Sequence, residues 1–156
     1  VDAVVESDIS RVDGVRRDPE RVCMLMRSYA RMTASQGSYE TMLRDVAKLG
    51  LSFGRTSFLE YVAALKRLFV TDDLGAWNPN LRSKEDVRTS PTRHFVDPSI
   101  ATAALGADPG DLMGDLNTFG LVFESLCVSS QSECDVKICV VFASEASYDS
   151  SRMRGG

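Results

Sequence analysis

The sequence predicts a mainly α fold of the α+β class: a winged helix-turn-helix-like, three-helix domain with a β-hairpin wing. Two observations carry that prediction. Three successive stretches between Asp18 and Phe69 place apolar residues three and four apart, the spacing of one helix face. The period then changes, and two extended runs, Phe69–Trp77 and Thr92–Val96, bracket a polar loop in the manner of a hairpin. Helices followed by a hairpin, with only Leu51–Gly54 between the second and third helix, is the order of a winged helix. A plain three-helix bundle carrying a hairpin would read the same way.

The elements follow from local signals. Residues 1–17 form an N-terminal arm or helix, with Val4, Val5, Ile9 and Val12 at helical spacing and Gly14 as a break. Asp18-Pro19-Glu20 starts the first long helix: Asp18 caps, Pro19 suits the first turn, and Glu20 complements the positive helix end. Val22, Met26, Tyr29 and Met32 or Thr33 mark its inner face, with Leu25 beside it. Ser38 caps the second helix, whose apolar positions are Tyr39, Met42, Leu43, Val46 and Leu49, and Gly50 ends it. Thr56 or Ser57 is expected to cap the third, with Glu60 completing a capping box. Phe58, Tyr61, Val62, Leu65 and Leu68-Phe69 are its buried stripe.

Asp97-Pro98-Ser99 caps a further helix to Leu105, stopped by Gly106. Asp111 is expected to cap a longer helix carrying Leu112, Leu116, Phe119, Val122, Phe123 and Leu126, in which Gly114 and Gly120 suit a helix-helix contact. A strand is expected over Asp135–Phe142, and a disordered tail over 144–156.

Composition narrows the function. The chain has 156 residues, 44% apolar and 26% charged, which is enough to bury a core. Its net charge of -4 argues against a dedicated nucleic-acid binder. No apolar run approaches a membrane span. The start, with Asp2, Glu6 and Asp8, is unlike a signal peptide, so a cytoplasmic chain beginning inside a longer protein is expected. Cys23, Cys127, Cys134 and Cys139 lack zinc-knuckle spacing and read as reduced, buried thiols; no metal is expected.

Several residues carry possible chemistry. The hairpin tip holds Arg82, Lys84, Arg88 and Arg93 against Glu85 and Asp86, a local charge of +2. These basic residues, joined by Arg55, Ser57 and Lys66 from the third helix, are the candidate nucleic-acid contacts. An ordinary solvated loop, or a patch facing an acidic neighbour in the full-length protein, accounts for them as well, and the net charge favours those readings. Glu124, Asp135 and Lys137 have the types and the acid-x-Lys spacing of a hard-cation site, although common residues at such spacing also occur as solvated surface. His94 pairs with no recognisable Ser or Cys nucleophile, and alternation sets it opposite Phe95, so a structural or surface role is expected. Trp77 reads as a core or interface anchor.

A succession of motifs also resembles one family. These are Asp8-Ile9-Ser10, Arg55-Thr56-Ser57 before Tyr61-Val62, Leu74-Gly75-Ala76-Trp77, the run Ser90–Ala101, and Gly120–Glu124. In that order they resemble the C-terminal half of AAA-type ATPases carrying a DUF4143 domain, over roughly residues 1 to 128. The resemblance implies a winged-helix-like body over 18–97 and, over 98–143, the start of an incomplete restriction-endonuclease-like α/β segment. It also implies an upstream ATPase domain using ATP and magnesium. The chain itself has no Gly-x-x-x-x-Gly-Lys-Ser/Thr, and no Glu-x-Lys follows Asp135. The expectation is therefore a non-catalytic, cofactor-free accessory module. Its partners would be that ATPase domain, another protein, DNA or a second copy of itself.

Overall fold

A computed structural model describes residues 4–50, 52–75 and 90–131. It is mainly helical, with one small antiparallel sheet. A π-helical turn, Val4–Asp8, leads into α1 (Ile9–Arg11), followed by α2 (Pro19–Ala30), α3 (Tyr39–Lys48) and α4 (Arg55–Arg67). Strands β1 (Thr71–Leu74) and β2 (Thr92–Phe95) come next, then α5 (Pro98–Leu105), α6 (Pro109–Gly114) and α7 (Leu116–Gln131).

The local signals act where the sequence places them. The Asp18 carboxylate accepts from the Glu20 N–H, Ser38 Oγ from Thr41 and Asp97 from Ser99, each offsetting an orphan donor of a helix start. Val22, Leu25, Met26 and Tyr29 of α2 meet Met42 of α3, and Phe58, Val62 and Leu65 of α4, in one core. Burying each such side chain contributes about 1.5–3 kcal/mol. Phe53, Tyr39 and Tyr29 add edge-on ring contacts, Phe53 and Tyr39 to Phe58 and Tyr29 to Phe95. The N-terminal segment is part of this body: Val5 and Ile9 are buried, and the buried Arg17 guanidinium donates to Ile9 O at 2.8 Å and to Asp13. α5 packs on α2 and sets Ala101 into the same core, so Asp97 does not divide two separate cores.

Other expectations are corrected. α4 starts at Arg55 with Gly54 at its N-cap, so neither Thr56 nor Ser57 caps it; the helical backbone begins before either hydroxyl. Asp108, not Asp111, caps α6, and Asp111 supplies the reciprocal half of that capping box. The chain then breaks at Asp115, whose carboxylate caps α7 by accepting from the Thr118 N–H and hydroxyl. A Cβ on Gly114 or Gly120 would meet nothing within 4 Å, so neither glycine serves a helix contact among the described residues. Cys23 is exposed, on the outer side of α2, rather than buried. Trp77, the hairpin tip, the strand expected at Asp135–Phe142 and the tail over 144–156 lie outside the described residues.

Phe69 departs most from its expected place. It is 79% exposed, with φ at 55°. The N–H groups of Phe69 and Val70 bond to Lys66 O and Leu65 O, the two bonds of a Schellman cap. Phe69 thus occupies the left-handed position that Gly106 fills at the end of α5. A side chain there costs about 1–2 kcal/mol, and an exposed ring recovers little of it by packing. Phe69→Gly is expected to stabilise the chain by about 1 kcal/mol. A chemical-denaturation midpoint that falls would show that the ring makes a contact worth more than the strain.

Candidate functional site

The hairpin is the hub of the structure. Its register pairs Thr71 with Phe95, Asp72 with His94, Asp73 with Arg93 and Leu74 with Thr92. Alternation therefore turns Asp73, Arg93 and Phe95 toward the helices and sends Asp72 and His94 to the other face.

On the inner face, five elements meet at one carboxylate. Asp73 accepts a short hydrogen bond from the Tyr29 hydroxyl of α2 and lies 3.5 Å from that of Tyr39 of α3. Lys66 Nζ of α4 and an Arg93 guanidinium nitrogen of β2 each stand 2.5 Å from its Oδ2. Arg93 also donates from Nε to Gly37 O at 2.9 Å, and its guanidinium lies 4.2 Å over the Tyr39 ring. The Arg93 backbone is bonded to Ala34 and Ser35, so both parts of the residue are fixed. Burial alone would raise the Asp73 carboxyl, but the hydrogen bonds from Lys66 and Tyr29 and the Arg93 charge outweigh it and hold the group below its usual range. Burial and the Asp73 hydrogen bond push the Tyr29 phenol well up, so Tyr29 remains a donor.

This geometry sorts the predicted basic set. Arg93 is only 3% exposed and is committed to Asp73, so its expected place on an accessible wing is corrected: a guanidinium held there reaches no phosphate. Lys66 is partly exposed but spent on the same carboxylate. Arg55 is exposed and ion-paired with Glu40. Ser57 is half-buried on α4. Arg82, Lys84 and Arg88 lie outside the described residues, as do Asp135 and Lys137. Glu124 sits half-buried on α7, where burial raises its carboxyl. No group of three or more His, Cys, Asp or Glu that could hold a metal occurs among the described residues.

On the outer face, α7, which packs against α5 and α6, reaches the strand through one buried pair. His94 is buried, and its Nδ1 lies 2.9 Å from Ser125 Oγ, also buried. Nε2 has no hydrogen-bond partner among the described residues. A Ser–His pair with Asp72 across the ladder suggests nucleophilic chemistry, but a serine 1% exposed on a helix interior meets no substrate. The pair instead fixes α7 to the hairpin. Sequence reading missed it because 31 residues separate the partners.

The outward side of α7 is apolar too. Leu116, Phe119, Phe123 and Leu126, with Met113 of α6, are 41–67% exposed, and the Phe119 and Phe123 rings stack. Phe119, Phe123 and Leu126, with Pro98, Thr102, Leu112 and Val122, border an open groove of about 230 Å³ between α5, α6 and α7. No helix among the described residues is long and apolar enough to cross a membrane.

No curated protein and no solved structure matches the chain. A family model, the domain of unknown function DUF8612, matches residues 1–111, a span that holds the whole Asp73 cluster and His94 and stops within α6. The match takes in most of the 156 residues, and the chain belongs to the DUF8612 family.

Proposed function

We propose that this chain is a non-catalytic contact module, a winged-helix-like body that offers the outer face of α6 and α7 to another polypeptide. The carrying observation is the exposed apolar stripe of Leu116, Phe119, Phe123 and Leu126. At roughly 200 Å² per large side chain, these four and Met113 leave about 550 Å² of apolar surface in water. That is the upper end of what a monomer ordinarily exposes, and such patches mark interaction sites. The order of three helices followed by an antiparallel hairpin supports the winged-helix-like reading. Placement beside an ATPase domain rests on the DUF4143-type motif order alone.

The engagement of Arg93, Lys66 and Arg55 with acidic partners weighs against a nucleic-acid face. The chain is accordingly expected to leave duplex DNA unshifted at low salt. A salt-dependent shift lost in an Arg82→Glu/Arg88→Glu variant would favour the nucleic-acid reading instead. The contact face itself is tested by a photo-reactive phenylalanine at position 123 or at the exposed Arg44 on α3. Protein adducts identified by mass spectrometry are expected at 123 and not at 44; none at 123, or equal labelling at both, rules the reading out.

A further inference from the structure

We infer that the occupant of the α6–α7 face is a second copy of this chain, paired antiparallel through α7. The inference rests on the contact-module reading and names its partner.

The stripe is self-complementary. Leu116, Phe119, Phe123 and Leu126 are spaced three, four and three apart and fall within a strip about 80° wide on the helix. That spacing is the a/d seam of a helix pair. It is also a palindrome about Leu121: a two-fold axis there sets Leu116 against Leu126 and Phe119 against Phe123. A two-fold interface requires a surface that matches itself in this way.

Charge selects the direction. Antiparallel pairing carries the two Asp115 carboxylates to opposite ends of the seam, about 18 Å apart. Parallel pairing would set them beside each other at one end, with no basic residue on α7 to offset them. Area agrees. If about 550 Å² of apolar surface is some 65% of the interface, each copy buries about 850 Å², close to the ~800 Å² per partner of a standard stable complex.

The test is sedimentation equilibrium of the full chain with a charge-swap pair. Wild type is expected to reach twice the 17.1 kDa of one chain at micromolar concentrations. Phe119→Glu alone and Phe123→Lys alone are each expected to weaken association by more than about 30-fold, with unchanged helical circular dichroism, since both side chains face water in one chain. Mixing the two variants should restore the dimer, because antiparallel pairing brings Glu at 119 to Lys at 123 and leaves one Phe–Phe pair. Phe119→Ala and Phe123→Ala repeat the dissociation without adding charge if either charged variant fails to fold. Wild type monomeric up to about 100 µM overturns the inference. So does a mixture that stays monomeric, or a dimer seen only after deletion of residues 132–156, which would make that segment the occupant. A monomer whose position 123 still crosslinks to a different protein overturns self-pairing and leaves the contact-module reading standing.

Discussion

Replacing Asp73 with alanine is expected to destabilise the chain by about 3–5 kcal/mol, the cost of breaking a buried ion pair from one side. The loss falls on Arg93. Its guanidinium is 3% exposed and locked by Gly37 O and the Tyr39 ring, so it cannot turn to water when its counter-charge goes. Lys66 loses less, because its side chain already reaches solvent. The hydroxyl of Tyr29 loses its acceptor as well. A shift in thermal midpoint of roughly 10 °C or more is expected at this size. A double variant, Asp73→Leu with Arg93→Met, should lose less than Asp73→Ala alone, since it removes both charges and leaves none buried. A single variant that melts within a degree or two of wild type would show that the cluster does not hold the hairpin to the helices. The same carboxylate fixes an acid limit. Its folded value lies below the ordinary 3.8, so its stabilisation is full above that value and is lost as pH falls through the lowered one.

His94 gives a second pH dependence in a different window. Burial lowers its affinity for a proton, partly offset by Asp72 and Asp73. Those two carboxylates and the Ser125 hydroxyl are the groups that act on it. Below the ordinary 6.5 the unfolded chain takes up a proton that the folded chain does not. Stability is therefore full above 6.5 and falls as pH drops from there toward the depressed folded value, at up to about 1.4 kcal/mol per pH unit. Glu124, raised by burial, works in the opposite direction just above its ordinary 4.5. The informative quantity is thus the difference between wild type and His94→Gln, which keeps a polar group beside Ser125 without the titration. Denaturant midpoints from pH 7.5 to 5 should converge as pH falls. Parallel curves would mean that His94 is protonated as readily when folded as when unfolded, and that α7 does not seal it.

Much of the fold was legible because its signals are local. Asp18, Ser38 and Asp97 each bond to a backbone N–H within three residues, and such a cap depends on little else. The inner faces of α2 and α4 were legible because helical spacing alone groups Val22, Met26 and Tyr29, or Phe58, Val62 and Leu65. The hairpin was legible from the change of period. The candidate sites were far less so. Arg93 reads as a wing cation, and only the register that sets it opposite Asp73 makes it a buried one. Phe69 reads as the last residue of a buried stripe, and only the left-handed turn after α4 swings it into water.

The sequence by itself therefore determined where α2, α3 and α5 start, that a hairpin follows the third long helix, and which residues of α2 and α4 form the core faces. The tertiary structure decided which polar groups meet. Asp73 collects donors from residues 29 to 93, and His94 reaches Ser125 across 31 positions. It also decided which side of α7 is left outside, because the strand claims the Ser125 side and the Leu116–Leu126 stripe faces away. The physical reason is range: a cap or an amphipathic period is satisfied within a few residues of chain, whereas a buried charge is satisfied only by whatever the packed helices bring to it.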